Sequence, residues 1–177
     1  MKKEFDTRRR RYTLCVLVQD IPGVLSQVAR LFSRKGYNIE SIVTGATDRP
    51  HITRLSIELL ADEQMIGQIA AQCRKLLPVL AVKVLNSDTS IHREIALIKL
   101  RTPDRDNREE IIQIANIFRA KIIDIGRDSL TIATFGAPEK NDALIDTLAD
   151  FEVLEIAKSG TIAIARGPET IYQELDD

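Results

Sequence analysis

The sequence predicts an α+β protein built from two βαββαβ units in tandem, each an antiparallel sheet with two helices on one face. Two observations carry this prediction. Apolar stretches with strand composition alternate with segments of helical periodicity in the order βαββαβ, and that order occurs twice. A short polar linker at 88–92 separates a unit at 11–87 from a unit at 93–167. The repeat is architectural, since the halves share little residue identity.

The first unit begins with a strand rich in Leu and Val and alternates clearly in its third strand. Asp62 is placed to cap the second helix, and Pro78 ends it. The predicted elements are a strand at 11–19, a helix at 23–35, strands at 38–48 and 51–60, a helix after Asp62, and a strand at 79–86.

The second unit repeats the pattern with different residues. The predicted elements are a strand at 94–100, a polar loop at 102–107, a helix at 108–119, strands at 121–126 and 130–135, a helix at 138–150, and a strand at 153–165 interrupted at Ser159 and Gly160. The first strand–helix loop of this unit contains no glycine, which disfavours a ligand site there. The charged ends at 1–10 and 168–177 are predicted to be flexible tails.

Composition narrows the class of protein. Hydrophobic residues make up 44% of the 177 residues, enough for a packed core, and the net charge of −1 argues against a nucleic-acid or membrane partner. The N-terminus lacks the apolar middle of a secretory signal, so we expect a cytoplasmic protein. Cys15 and Cys73 lie in apolar patterns and are predicted to be reduced core residues. No cysteine or histidine pair has metal-ligand spacing, so no metal site is expected.

The sequence contains no motif that is typical of a catalytic site. No nucleophile, acid–base pair or Gly-rich phosphate loop is evident, so no catalytic residue is predicted. An acylphosphatase of similar topology would carry an arginine in the first strand–helix loop, and 18–26 has none. An RNA-binding domain would expose aromatic residues on its sheet, whereas aromatic residues are 5% of this chain.

The stretch between the first strand and the first helix has the composition of an anion site. Asp20 is a candidate helix cap, and Pro22 suits a first helical turn. Gly23 has no side chain, so a ligand can approach the first amides of the helix, where the positive dipole end favours a carboxylate. The same pattern also fits a structural turn that binds nothing.

Several sequence blocks resemble one protein family. D-x-P-G-x-L at 20–25 resembles the start of an ACT domain, a small regulatory module that binds amino acids. R-K-G-Y-N-I-E-S at 34–41 is similar to the small regulatory subunit of acetolactate synthase, as are blocks at 93–100, 117–125 and 159–167. The resemblance spans about 10–167 and implies two ferredoxin-like units, the first an ACT domain.

The resemblance implies a regulatory subunit without catalytic residues or cofactors of its own. Its partner would be the catalytic large subunit, which carries thiamine diphosphate, Mg²⁺ and FAD. The small subunit would activate that enzyme and make it sensitive to valine, leucine or isoleucine, and it would form a homodimer through the ACT domain. The alternative is a stand-alone ACT-type amino-acid sensor acting on another partner, which would not need the blocks of the second unit.

The resemblance also implies six effector-binding positions: Asp20, Gly23, Val24, Leu25, Asn38 and Ile39. The helix amides would bind the effector carboxylate, and Asp20 would meet the ammonium. Asn38 would hydrogen-bond across the dimer interface, and Ile39 would come from the partner chain. Many family members have Asn where this chain has Asp20.

Overall fold

The computed structural model describes residues 9–175, which form two compact units. The first unit comprises residues 9–91 and 161–175, and the second comprises 92–160. The first unit contains β1 (Arg10–Gln19), α1 (Val24–Lys35), β2 (Ser41–Ala46), β3 (Ile52–Ala61), α2 (Glu63–Cys73) and β4 (Val79–Asn86).

The remaining elements complete the second unit and then return to the first. They are β5 (Ser90–Arg101), α3 (Arg105–Ile117), β6 (Lys121–Ile125), β7 (Ser129–Gly136), α4 (Pro138–Thr147), β8 (Val153–Lys158), β9 (Ile162–Ala165) and a 3₁₀ helix (Ile171–Leu175).

The first sheet has the strand order β2-β3-β1-β4, with every neighbouring pair antiparallel. β1 lies inside the sheet and is buried from Thr13 to Val18, so it anchors the core. α1 and α2 pack on one face through residues at helical spacing: Val24, Val28, Leu31, Phe32, Ile66, Ile69, Ala70 and Cys73. The order confirms the predicted α+β topology, and Cys73 and Cys15 are buried and free.

The second sheet follows the same order with different residues, β6-β7-β5-β8, and its neighbouring strands are also antiparallel. Its core is aliphatic and faces α3 and α4. The buried members are Ile98, Leu100, Ile111, Ala115, Leu130, Ile132, Leu144 and Leu148. The two sheets share one topology but little sequence. The βαββαβ arrangement is therefore specified by the pattern of buried residues and not by residue identity.

The predicted linker at 88–92 is shorter in the structure, because β5 already begins at Ser90. The side-chain oxygen of Asn86 accepts hydrogen bonds from the amides of Asp88 and Thr89, both at 3.0 Å. Asn side chains that bond amides two and three residues on form Asx turns. β4 and β5 are therefore joined by a tight turn.

The predicted loop at 102–107 is wrong over its second half, where α3 has already begun. Asp104 is the N-cap, and its carboxylate accepts a hydrogen bond from the Asn107 amide at 2.8 Å. This bond holds the pKa of Asp104 below its usual value. The polar composition that suggested a loop is the composition of a capped first turn.

The end of the chain also differs from prediction. The predicted second-unit strand at 153–165 divides into β8 and β9, and β9 belongs to the first unit. The predicted flexible tail at 168–177 is wrong over Ile171–Leu175, where a 3₁₀ helix forms. Ile171 is buried against Cys15 and Leu17, on the face of the first sheet that the helices leave uncovered. Burying apolar area on that face offsets the entropy of ordering the segment.

At the other end, β1 begins at Arg10, the last residue of the predicted tail 1–10, and residues 1–8 lie outside the described part of the chain. No helix within residues 9–175 is both long and apolar enough to span a membrane.

Candidate functional site

The candidate site lies where β1 passes into α1. Strand β1 ends at Gln19, and the amide of Asp20 then donates to the carbonyl oxygen of His51 at 2.9 Å, which holds the start of the loop against the start of β3. The amide of Val24 donates to the carbonyl oxygen of Ile21 at 3.3 Å and closes a turn. The chain therefore makes a turn of its own before the helix begins.

The structure corrects two expectations about this turn. Asp20 does not cap α1, because the N-cap is Gly23, with no side-chain hydrogen bond to the helix. Pro22 lies before the helix and not in its first turn. The reason is the backbone of Gly23, which has φ +82°. This left-handed conformation favours glycine and allows the extra turn that separates Asp20 from the helix.

The N-terminus of α1 differs from those of the other helices. Asp62 caps α2 with a hydrogen bond from the Met65 amide at 2.7 Å, and Asp104 caps α3. Within residues 9–175, α1 is the one α-helix without an acidic residue in its first turn. Neither a side-chain cap nor an acidic residue in its first turn offsets the amides and dipole of α1, so an anion is favoured there.

The N-terminus of α3, the corresponding helix of the second unit, already has a side-chain cap. The carboxylate of Asp104 occupies the position that an anionic ligand would take at α3, and Asp106 adds a second negative charge to the first turn. A ligand carboxylate at this position would be repelled. The N-terminus of α3 therefore differs from that of α1 in already having a carboxylate of its own.

The surroundings of Gly23 combine charge and apolar surface. An open groove of about 610 Å³ extends from Gly23 along α1 and includes Arg30 and Arg34. Ile21 and Leu25, on either side of Gly23 in the chain, are 43% and 40% exposed. Neither lines the groove, and at about 3.6 residues per turn Leu25 lies on the side of α1 away from Arg30 and Arg34. At Gly23 itself the first amides of the helix favour a carboxylate, and Ile21 and Leu25 add exposed apolar surface near it.

The other predicted residues lie at the opposite end of α1. Asn38 is exposed and donates through Nδ2 to Oε1 of Glu40 at 2.8 Å, while Ile39 is half-buried against the first core. Because α1 has 12 residues, its ends are about 18 Å apart. The structure thus brings Asp20, Gly23, Val24 and Leu25 together, but a single chain does not bring Asn38 to them.

A polar cluster on the other face of the first sheet was not predicted from the sequence. Nη2 of Arg54 donates to the carbonyl oxygen of Ala163 at 2.6 Å and to Sγ of Cys15 at 3.2 Å. Burial raises the pKa of the Cys15 thiol, although Arg54 opposes the shift. Burial also raises the pKa of Cys73 to about 11. Both thiols therefore stay neutral and are poor nucleophiles. A sequence signal existed, because Arg54 is a charged residue inside a mainly apolar strand.

Glu58 is a second buried polar group that the sequence did not single out. Its side chain is nearly fully buried and lies 3.5 Å from Nη1 of Arg11. It accepts hydrogen bonds from Ser41 at 3.3 Å and from Thr161 at 3.2 Å. These contacts join three strands to the start of the C-terminal segment, which indicates a structural role.

No group of three or more metal-ligating side chains occurs within residues 9–175. The second unit has its own buried network, in which Asn141 donates to Oε1 of Glu94 at 3.2 Å and Lys158 lies 3.2 Å from the same oxygen. Every charge in this network has a partner on the same unit, so it serves to hold β5, α4 and β8 together.

Comparison with known proteins identifies both units. Residues 14–81 match the family model described as the acetohydroxyacid synthase small-subunit-like ACT domain. Residues 93–167 match the model for the small subunit of acetolactate synthase. The two matches follow one another along the chain and cover both of its βαββαβ units.

Relatives and a solved structure agree over nearly the whole chain. The acetolactate synthase small subunit of Mycolicibacterium smegmatis is 43% identical over 90% of this chain and 94% of its own length. The probable acetolactate synthase small subunit of Methanothermobacter thermautotrophicus is 39% identical over 90% of this chain and 95% of its own length. The crystal structure of the acetolactate synthase small subunit from Thermotoga maritima superimposes with a TM-score of 0.83 at 38% identity, and the match covers 90% of this chain and 99% of that one. The chain therefore belongs to the acetolactate synthase small-subunit family.

Proposed function

We propose that this protein activates the catalytic large subunit of acetolactate synthase and makes it sensitive to feedback inhibition by valine or another branched-chain amino acid. Family membership over both units supports the partner, because a stand-alone sensor would need only the ACT domain. The observation that carries the effector site is the uncapped N-terminus of α1 beside the exposed Ile21 and Leu25.

The proposed site matches the chemistry of a branched-chain amino acid. The carboxylate would lie against the first amides of α1, where Gly23, Val24 and Leu25 contribute backbone groups. The branched side chain would contact the aliphatic surface beside them. Asp20 is exposed and not engaged in capping, so its carboxylate is free of that task and can meet the effector ammonium.

The proposal includes a homodimer in which each site draws on both chains. Strand β2 is an edge strand of the first sheet, and no other strand of residues 9–175 pairs with its outer side. A two-fold pairing of β2 edges would extend the sheet and place Asn38 and Ile39 of one chain near the α1 N-terminus of the other. The 18 Å length of α1, at about 1.5 Å per residue, is what makes a second chain necessary.

In this proposal the large subunit carries out the catalytic reaction. Thiamine diphosphate, Mg²⁺ and FAD would be bound by the large subunit, and this chain would bind only the effector. The complex would act in the cytoplasm on pyruvate and 2-oxobutyrate, the substrates implied by the family resemblance.

Reconstitution tests this function directly. We expect the purified chain alone to leave pyruvate unconsumed, and its addition to the candidate large subunit to raise pyruvate turnover and to make that turnover fall with valine. Co-purification of the two subunits should accompany activation. Pyruvate turnover by this chain alone, or a large subunit whose rate is unchanged by it, would show the proposal to be wrong.

A further inference from the structure

The C-terminal segment 161–175 lies on the first unit and contacts the sheet at several points. β9 and the 3₁₀ helix cover the face that α1 and α2 leave open, with Ala163 and Ile171 buried there. Polar contacts accompany this burial, including Lys83 with Glu169 at 3.2 Å. The segment is therefore attached to the unit that carries the candidate effector site.

One loop contacts both this segment and the turn at 20–23, which carries the candidate effector site. The loop at 47–51 joins β2 to β3, and at one end the carbonyl oxygen of His51 accepts the Asp20 amide. At the other side Asp48 accepts a hydrogen bond from the Tyr172 hydroxyl, and the guanidinium carbon of Arg49 lies 4.1 Å from the centre of the Tyr172 ring. The loop is thus in direct contact with both.

Hydrogen bonds within the loop hold its shape. The Thr47 hydroxyl has one proton to donate and lies 3.0 Å from the carbonyl oxygen of Arg49 and 2.9 Å from that of Ile52, and it accepts from the Arg49 amide at 3.1 Å. His51 has φ +63°, in the left-handed region that His, like Asn and Asp, enters more readily than other residues with side chains. Its carbonyl oxygen accepts the hydrogen bond from the Asp20 amide.

We propose that Tyr172 is a positioning residue for the effector site, acting through the 47–51 loop. The hydroxyl and ring of Tyr172 hold Asp48 and Arg49, the loop holds the His51 carbonyl, and that carbonyl holds Asp20. Loss of the Tyr172 contact frees the loop and lets Asp20 move away from the N-terminus of α1. The inference rests on the proposed function for the identity of the effector, but the contact chain itself does not.

Electrostatics supports the Tyr172 contact. The hydrogen bond from Tyr172 holds the pKa of Asp48 below its usual value, and the same bond raises the pKa of Tyr172. Asp48 is therefore ionised and Tyr172 is protonated at neutral pH, which keeps the donor and acceptor matched.

The first test measures amide hydrogen exchange at Asp20 by NMR on the full chain without any ligand. In Tyr172→Phe, which keeps the ring under Arg49 and removes the hydroxyl, we expect exchange at Asp20 to be about two- to tenfold faster, since the lost bond runs to the exposed carboxylate of Asp48, where water competes. Asp48→Ala should reproduce the effect, while Asp48→Asn, which keeps an acceptor oxygen, should retain most of the protection. Tyr12→Phe, on β1, is the matched control and should leave Asp20 unchanged.

The second test measures effector binding by calorimetry and activation by assay. Tyr172→Phe should weaken valine binding by a similar factor and leave the maximal activation of the large subunit unchanged, a split that general unfolding would not produce. Unchanged Asp20 exchange in Tyr172→Phe, or equal valine affinity in variant and wild type, overturns the positioning role. If the wild-type chain binds no branched-chain amino acid, the proposed function is wrong instead, and Asp20 exchange still decides the contact chain.

Discussion

Gly23 is the residue on which the proposed effector site depends most. Its φ of +82° is available to glycine at no steric cost, and it leaves the first amides of α1 open to a ligand. A Cβ at this position would meet no atom within 4 Å, so a side chain there is opposed by backbone conformation and not by crowding. The effect of a charge at position 23 can therefore be separated from the effect of bulk by comparing Asp and Asn, which have the same shape.

Gly23→Asp is expected to abolish inhibition by valine while leaving activation of the large subunit largely intact. The new carboxylate would lie where the effector carboxylate meets the helix N-terminus, and like charges repel. Left-handed φ costs most residues about 1–2 kcal/mol, but Asp and Asn tolerate it best. The measurement is a valine inhibition curve on the reconstituted enzyme, with circular dichroism to establish folding.

Gly23→Asn is the matched control, since it carries the same bulk and backbone cost without the charge. It should retain more of the valine response than Gly23→Asp. A folded Gly23→Asp enzyme with the wild-type response would place the effector elsewhere.

Asn38→Ala is expected to weaken valine inhibition from the partner chain. The lost polar contact is worth roughly 0.5–1.5 kcal/mol, or about two- to tenfold in the valine concentration for half-inhibition. Glu40→Ala is the control, because it removes the intrachain acceptor of Asn38 and leaves the Asn38 amide available. Equal inhibition constants for Asn38→Ala and wild type would remove this residue from the site.

The sequence predicted which residues form the α1 junction but not the role of each. Asp20 has the composition of a cap, and sequence cannot tell that Gly23 adopts a left-handed conformation and takes the N-cap position itself. The backbone at this point is set by the bonds from Asp20 to His51 and from Val24 to Ile21. One of those partners is about thirty positions away, beyond the reach of local pattern.

At the scale of elements, the helices differ in whether a side chain caps the N-terminus. A capped N-terminus serves the fold, and an uncapped one leaves its amides open to a ligand. α2 and α3 satisfy their first turns with Asp62 and Asp104, whereas α1 does not. The Asp62 cap was predicted from sequence and is confirmed by the bond from the Met65 amide. The Asp104 cap was missed because the residues around it resemble a loop.

Asp62→Ala is expected to destabilise the protein by about 1 kcal/mol, within the range of 0.5–2 kcal/mol typical of lost N-caps. Asp62→Asn should cost much less, since Asn also caps a helix well. Urea unfolding followed by circular dichroism measures both free energies of unfolding. Equal stability of Asp62→Ala and wild type would show that α2 does not depend on this cap.

At the scale of the whole molecule, the edges of the first sheet bear on assembly. β2 and β4 are the outer strands of that sheet. β4 contacts the C-terminal 3₁₀ helix, whereas β2 ends in the exposed residues Thr44, Gly45 and Ala46. β2 is therefore the edge where pairing with a second copy is expected.

We expect a homodimer at micromolar concentration by light scattering. Thr44→Lys combined with Ala46→Lys should shift it towards monomer, because charged side chains on an edge strand oppose strand pairing. The same double variant should lose valine inhibition if the effector site spans two chains. Thr44→Ser is the matched control and should remain dimeric. A wild-type monomer, or a double variant that stays fully dimeric, would exclude pairing through β2.

The sequence by itself determined the fold class, the order of elements and the family. Periodic burial of aliphatic residues is a local property, so the helices of the first unit and the strand β4 follow from the printed residues alone. The α1 junction was also found from sequence, since Asp20, Pro22 and Gly23 are adjacent in the chain.

Only the tertiary structure decided the fate of the C-terminal segment and the spacing of the site. Charged composition at 168–177 predicted a flexible tail, yet Ile171 is buried because the first sheet has an open apolar face to receive it. Asn38 follows α1 closely in sequence, but the rigid helix keeps it away from Gly23. Both outcomes depend on surfaces that residues distant in sequence create together, and a linear pattern carries no information about such surfaces.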